Sequence, residues 1–168
     1  CYRYTIRPHS NEIKTFDDFP LSDLTRKGLK ENKFKFPTEI QKQALGPALL
    51  GKDVLGAAIT GSGKYSININ SIKSLINSFL GKTLAFLIPV LENLFLSKWS
   101  RVDGVGAIII SPTRELAYQI FEALKKVGVH HDISSGLIIG GKNLKFEKSR
   151  MDQCNIIICT PGRLLQHM

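Results

Sequence analysis

Short, strongly apolar runs alternate along the chain with longer segments of helical periodicity. The apolar runs are too short for good helices and mostly rich in β-branched residues, so we predict strands at 53–58, 105–110, 136–139 and 155–158. Strands that are apolar on both faces and joined by helices are typical of parallel sheets. The pattern therefore predicts one α/β domain with a doubly wound, mostly parallel sheet and helices on both faces.

Capping residues and periodicity locate the helices. Ser22 can cap a first helix, and Thr38 and Gln41 have the spacing of a capping box. Further helices are predicted at 83–95 and 114–127, the second with one apolar face. Ligands of parallel sheets bind beyond the carboxyl ends of the strands, and the Gly, Pro, Thr and Arg clusters fall there. We therefore expect the functional residues at that edge.

The chain is basic, with 23 Lys and Arg against 14 Asp and Glu and a formal net charge of +9. Such an excess favours a polyanionic partner, although a solvated basic surface would give the same composition. No apolar run reaches the roughly 18 residues of a membrane span, so we expect a soluble, intracellular protein without a membrane partner. The three cysteines have no second Cys/His pair for a zinc site and are expected to be reduced thiols.

A glycine-rich turn follows the first predicted strand. The residues from Ala58 to Lys64 fit the pattern A-x-T-G-x-G-K, between a strand and a helix. Glycines let backbone N–H groups surround phosphates, and Lys64 would add a positive charge. The turn therefore predicts a nucleotide-phosphate site.

Four further motifs occur in a fixed order. The segment 34–41 resembles the Q motif of DEAD-box RNA helicases, with Phe16 in place of their upstream aromatic residue. Residues 112–117 resemble motif Ia, Gly140-Gly141 the GG element and 160–163 motif Ib. The chain thus resembles the first RecA-like, P-loop domain of this family, and within it most closely the nucleolar group of ribosome biogenesis. The resemblance implies a nuclear, and specifically nucleolar, parent enzyme.

The resemblance implies ATP and Mg²⁺ as cofactors. A glutamine amide can both donate to and accept from adenine, and Phe16 or Phe34 offers the base an apolar face. We expect Phe36 to be an ordinary core residue. The residues assigned to the nucleotide are Phe16, Phe34, Gln41, Ala58, Thr60, Gly61, Ser62, Gly63, Lys64 and Thr83, with Thr83 also the magnesium ligand if the chain leaves it in place.

RNA is the second implied partner. Hydroxyls, guanidinium groups and bare backbone can hold a sugar-phosphate strand without selecting bases. Simpler roles are also open, since Arg114 can begin a helix and Gly162 can serve a turn. The residues assigned to RNA are Pro112, Thr113, Arg114, Gly140, Gly141, Thr160, Pro161, Gly162 and Arg163.

An apparent insert separates Lys64 from Thr83. Deleting 65–82, 64–81 or 63–80 restores the same sequence, because Gly81-Lys82 repeats Gly63-Lys64. A retained intron or a gene-model error would leave such a repeat, and a genuine loop remains an alternative. The pattern predicts an extended piece at 66–70 followed by an added helix. We expect the insert to weaken phosphate binding.

The 168 residues contain no Asp-Glu-Ala-Asp motif. We accordingly interpret 1–15 as an N-terminal extension and 16–168 as part of a first RecA-like domain, whose partner would be a second RecA-like domain of the parent chain. Catalytic carboxylates are missing from this stretch, so we expect it to hydrolyse no ATP. The rival hypothesis is a non-catalytic RNA-binding or scaffold protein with a disrupted phosphate loop. The Q motif disfavours a DNA-acting P-loop ATPase.

Overall fold

A computed structural model describes residues 13–56, 69–141, 144–151 and 153–168. The chain divides into two compact units, Cys1–Glu92 and Asn93–Met168. Within the described residues, no helix has both the length and the apolar character needed to cross a bilayer. The predicted N-terminal extension lies almost entirely outside this description.

The first unit is built from helices. A 3₁₀ helix, Phe16–Asp18, precedes α1 (Asp23–Glu31) and α2 (Glu39–Leu49), and α3 (Ile69–Leu96) continues past the end of the unit. Both predicted caps are confirmed. The Ser22 hydroxyl accepts a hydrogen bond from Thr25 N, and Thr38 and Gln41 form the capping box.

A buried carboxylate ties α1 to α3 inside this unit. Glu92 is fully buried, and its two oxygens accept hydrogen bonds from Ser22 N at 2.9 Å and from Ser22 Oγ at 2.7 Å. Phe19, Leu45 and Leu87 pack in the same core and are essentially inaccessible. Charged groups are buried only when hydrogen-bonded, and Ser22 supplies two of those bonds while capping its helix.

The strand predicted at 53–58 is wrong at residues 53–56. Residues 53–56 form no strand in the described chain, and Leu55 is fully exposed. Residues 57 and 58 lie outside the described residues. An apolar run becomes a strand only when a neighbouring strand supplies hydrogen bonds and a helix covers its side chains.

The second unit contains a parallel sheet. Its strands are β1 (Ala107–Ile110), β2 (Ser135–Ile138) and β3 (Ile156–Cys159), in the order β1-β3-β2. Each lies within two residues of its predicted position. Helix α4 (Arg114–Val127) follows β1, α5 (Leu144–Met151) follows β2, and α6 (Pro161–Leu165) follows β3.

The central strand β3 is buried on both faces. Ile157 and Cys159 pack in a cluster with Ile138, against Met151 of α5 and Leu164 of α6. Ile156 and Ile158 alternate to the opposite face and are equally inaccessible. Helix α4 packs on β2 and β3. The predicted α/β class with a parallel sheet is therefore confirmed.

Candidate nucleotide pocket and nucleic-acid interface

A cavity of about 320 Å³ lies in the first unit, at the residues predicted to hold adenine. Its lining includes Phe16, Phe34, Thr38, Gln41 and Gly81. Phe16 N donates to Lys35 O at 3.3 Å, which fixes the 3₁₀ helix against the chain after α1. The size and the mixture of aromatic and polar lining are those of a small-molecule pocket.

The side-chain amide of Gln41 is engaged within the chain. Gln41 is 2% exposed, its Oε1 accepts from Thr38 N at 2.7 Å, and its Nε2 donates to Gly81 O at 2.9 Å. A carboxamide has a second N–H and a second lone pair. Recognition of adenine by Gln41 must use these remaining positions or displace Gly81.

Phe36 is not a core residue, contrary to the sequence-based expectation. It is 72% exposed and is one of the residues that line the same cavity, whereas Phe16 is 5% exposed. The alternation of Phe34, Lys35 and Phe36 points neighbouring side chains in different directions, and only contacts across the unit decide which aromatic ring is buried.

Helix α3 changes the geometry expected of the phosphate site. Thr83 is 2% exposed and lies about four turns, roughly 21 Å, from the first residue of the helix. The Thr83 hydroxyl therefore lies in a helix interior and not in the first turn of a helix, the position on which its predicted role as a magnesium ligand depends. Ala58, Thr60, Gly61, Ser62, Gly63 and Lys64 lie outside the described residues.

The insert is helical where the structure describes it. The added helix predicted after 66–70 is confirmed and is continuous with the one predicted at 83–95, forming the 28-residue α3. The predicted extended piece is wrong at residues 69 and 70, which are already helical, and its remainder lies outside the described chain. The residues with helical spacing in the insert, Ile72, Leu75, Ile76 and Phe79, all lie within α3.

In the second unit, three strands end together at one edge of the sheet. Ile110 is in register with Cys159, and Cys159 is in register with Ile138. The segments that follow these residues contain every residue predicted to bind RNA except Arg163. We call 111–114, 139–141 and 160–162 the carboxyl edge.

The loop after β1 leads directly into α4. Thr113 Oγ1 accepts from Leu116 N at 3.2 Å, and Ser111 Oγ donates to Thr113 O at 3.3 Å. Thr113 is thus the cap of α4 and Arg114 its first residue, with an exposed side chain. The helix-start role left open for Arg114 is confirmed, and it leaves the guanidinium available to a ligand.

Arg114 and Gly140 are brought into contact. A Cβ built on Gly140 would lie 2.6 Å from Arg114 Nη2, a distance that side chains do not adopt. The guanidinium therefore lies over the bare backbone of Gly140. Gly141 has φ +104°, a conformation that disfavours any residue with a side chain. The backbone conformation therefore requires glycine at 141, whereas a side chain at 140 would have to displace the Arg114 guanidinium.

The segment after β3 completes the edge. Thr160 N donates to Ile138 O at 3.3 Å, which joins the ends of β3 and β2. Arg163 N and Leu164 N both donate to Thr160 O, closing the first turn of α6. Pro161 and Gly162 are exposed.

Arg163 is turned inward in the structure, whereas the sequence predicts that it contacts RNA. It is 8% exposed, its Nε donates to Glu147 Oε2 at 2.8 Å, and its Nη1 donates to Gln166 Oε1 at 2.9 Å. Glu147 is a partner that no sequence motif predicted. A buried arginine calls for an acidic partner, but the sequence does not show that Arg163 is buried.

Comparison with known proteins agrees with this class of fold. Residues 76–168 match the family model described as DEAD/DEAH box helicase, and the chain belongs to this family. A DEAD box protein from the hyperthermophile Methanococcus jannaschii has a similar structure, with a TM-score of 0.73 and 28% identity over 92% of this chain and 36% of that one.

Two groups of relatives are closer in sequence. The probable ATP-dependent RNA helicase DDX10 of Homo sapiens is 59% identical over 158 residues, which cover 94% of this chain and 16% of the relative. The ATP-dependent RNA helicase dbp4 of Aspergillus oryzae is 55% identical over 155 residues, covering 92% and 17%. The chain therefore spans about one sixth of the length of these relatives.

Proposed function

We propose that this chain is the nucleotide-binding and RNA-contacting part of an ATP-dependent RNA helicase. The parent protein would use ATP and Mg²⁺ to open or remodel RNA, together with a second RecA-like domain. The names and high identity of DDX10 and dbp4 support this activity. The motif resemblance supports a role in ribosome biogenesis in the nucleolus.

The carboxyl edge carries the proposal. It combines an exposed guanidinium at Arg114, bare backbone at Gly140 and Gly141, and the start of α6 at Thr160. Backbone N–H groups and arginine bind phosphate and sugar oxygens, which are the same for every base. A helicase must hold RNA in this way, because it acts on strands of any sequence.

The cavity at Phe16 and Gln41 is the proposed adenine pocket. Phe16 and Phe34 supply apolar surface. Gln41 supplies a side-chain amide, which is hydrogen-bonded to Thr38 N and Gly81 O at the same cavity. Stacking of a base on aromatic surface and hydrogen bonds to its edge would select adenine.

RNA binding by residues 1–168 should ignore base sequence and weaken with salt. Each phosphate contact contributes a slope of about −0.7 to log K against log salt for single strands. Fluorescence anisotropy with labelled oligouridine and oligoadenosine over a NaCl series measures both properties. Equal affinity for the two strands is expected, and a strong preference for one of them would refute backbone recognition.

Gly140→Ala should weaken RNA binding roughly threefold to tenfold, less than the loss of one full charge-assisted hydrogen bond. The added Cβ would displace the Arg114 guanidinium, a flexible group that can move at little cost in stability. Gly46→Ala is the matched control, because Gly46 lies in α2, outside the carboxyl edge, and a Cβ there meets nothing within 4 Å. If both substitutions change RNA affinity equally in the same anisotropy assay, the contact of Arg114 with Gly140 does not contribute to RNA binding.

A second candidate function is RNA binding without nucleotide control. Two observations on residues predicted to bind the nucleotide favour it. The Gln41 amide is hydrogen-bonded to Gly81 O, and the Thr83 side chain is buried. Adding ATP and Mg²⁺ to the RNA titration separates the two functions. A nucleotide-dependent change in RNA affinity supports the helicase part, and unchanged affinity at saturating ATP supports the alternative.

A further inference from the structure

A buried ionic cluster lies behind the carboxyl edge in the second unit. Glu147 Oε2 accepts from Arg163 Nε at 2.8 Å and meets His167 Nε2 at 3.0 Å. The side chains of Glu147, Arg163 and His167 are 5%, 8% and 3% exposed. Gln166 accepts a further hydrogen bond from Arg163. Nothing in the sequence motifs or in the RNA assignment includes Glu147 or His167.

The cluster holds two helices that begin at the carboxyl edge. Glu147 belongs to α5, which follows the Gly140-Gly141 turn, and Arg163 belongs to α6, which starts directly after Thr160. Among the described residues, Glu147 Oε1 is buried without a hydrogen-bond partner. A buried carboxylate with an unsatisfied oxygen is costly, so this carboxylate depends on Arg163 and His167 for its compensation.

We propose that Glu147 and Arg163 are positioning residues for RNA binding, on the basis of the function proposed above. Their ion pair fixes the spacing between α5 and α6. It thereby fixes the two glycine-containing turns that present backbone to the sugar-phosphate strand. Arg163 supplies no phosphate contact of its own, and the exposed Arg114 supplies the charge at this edge.

Phosphate binding and positioning, the two possible roles of Arg163, predict opposite changes in RNA affinity for Glu147→Gln. They also predict different salt dependence. If Arg163 binds phosphate, Glu147→Gln frees a cation and removes a negative charge, so RNA affinity stays the same or rises. If the pair positions the turns, the same substitution weakens RNA binding. A phosphate contact also contributes about 0.7 to the magnitude of the salt slope, whereas a positioning role contributes nothing.

The test measures oligouridine binding by the full 168-residue chain across a NaCl series, by fluorescence anisotropy. The variants are Glu147→Gln, Arg163→Met and the double variant, with Glu122→Gln as the matched control. Glu122 is on α4 with 40% of its side chain exposed. Thermal unfolding of every variant is followed by circular dichroism, and RNA binding is measured below the lowest unfolding temperature among them.

Both single variants should lose about tenfold in affinity, the equivalent of one charge-assisted hydrogen bond, with the salt slope unchanged. The double variant should lose no more than either single variant, because the pair acts as a unit. Glu122→Gln should bind like the unaltered chain. A shallower slope for Arg163→Met, or undiminished binding by Glu147→Gln, would overturn the proposal.

The double variant also protects the test against unfolding of a single variant. Removing both buried charges together costs far less stability than leaving one unpaired. A folded double variant with unaltered RNA affinity would refute the positioning role. If the unaltered chain binds no RNA at all, the proposed function itself fails, and this outcome is distinct from a failure confined to the variants.

Discussion

Removing residues 65–82 should strengthen binding of ADP with Mg²⁺ roughly 100-fold. A phosphate site works when the glycine turn runs directly into a helix, so that backbone N–H groups and the helix dipole converge on the same oxygens. In the present chain α3 begins at Ile69, roughly 18 Å along the helix from the pocket residue Gly81. Two charge-assisted hydrogen bonds of about 1.5–3 kcal/mol each correspond to two or more decades of affinity.

Isothermal titration calorimetry on the 168-residue chain and on the deletion variant measures this gain. Deletion joins Lys64 to Thr83 and restores a Lys-Thr pair directly after the glycine turn. Lys64→Ala in the deletion variant is the control and should abolish most of the gain. The same substitution in the longer chain should change little. Equal ADP affinity of the two chains would show that the insert does not weaken the phosphate site, which would contradict the prediction.

Local patterns predicted the elements whose signals are contained within themselves. Helix α4 has the bounds 114–127 expected from its apolar face, because Thr113 caps it and the periodicity runs to Val127. The capping box at Thr38 and Gln41 was predicted on the same basis and is present. The strands β1, β2 and β3 were predicted to within two residues, and the four consecutive apolar residues of β3 fit a strand buried on both faces.

Tertiary context decided the features that the sequence left open. The run 53–56 is apolar enough for a strand but is exposed, because pairing depends on partners elsewhere in the chain. The orientation of Arg163 depends on Glu147, which lies 16 residues away and carries no local signal. The role of Phe36 likewise depends on which face of its segment meets the helices. Motif spacing thus located the carboxyl edge but not the direction of every side chain in it.

Replacing Asn155 by Ala should lower the free energy of unfolding by about 3 kcal/mol, because several backbone groups lose their partner. Asn155 is completely buried just before β3. Its Nδ2 donates to Ser100 O at 2.8 Å and to Gly104 O at 2.9 Å, and its Oδ1 accepts from Ser134 N at 3.0 Å. One amide therefore joins the segments that enter all three strands of the sheet.

Urea denaturation followed by Trp99 fluorescence measures the loss at this corner. Trp99 is the only tryptophan of the chain, and its Nε1 donates to Gly104 O at 3.0 Å, next to the Asn155 amide. Asn93→Ala is the matched control, because Asn93 is exposed and its replacement should change stability by no more than about 0.5 kcal/mol. Asn155 lies at the amino ends of the strands, so RNA affinity measured below the unfolding transition should be unchanged. If the urea midpoint of Asn155→Ala equals that of Asn93→Ala, water replaces the hydrogen bonds of the Asn155 amide without loss of stability.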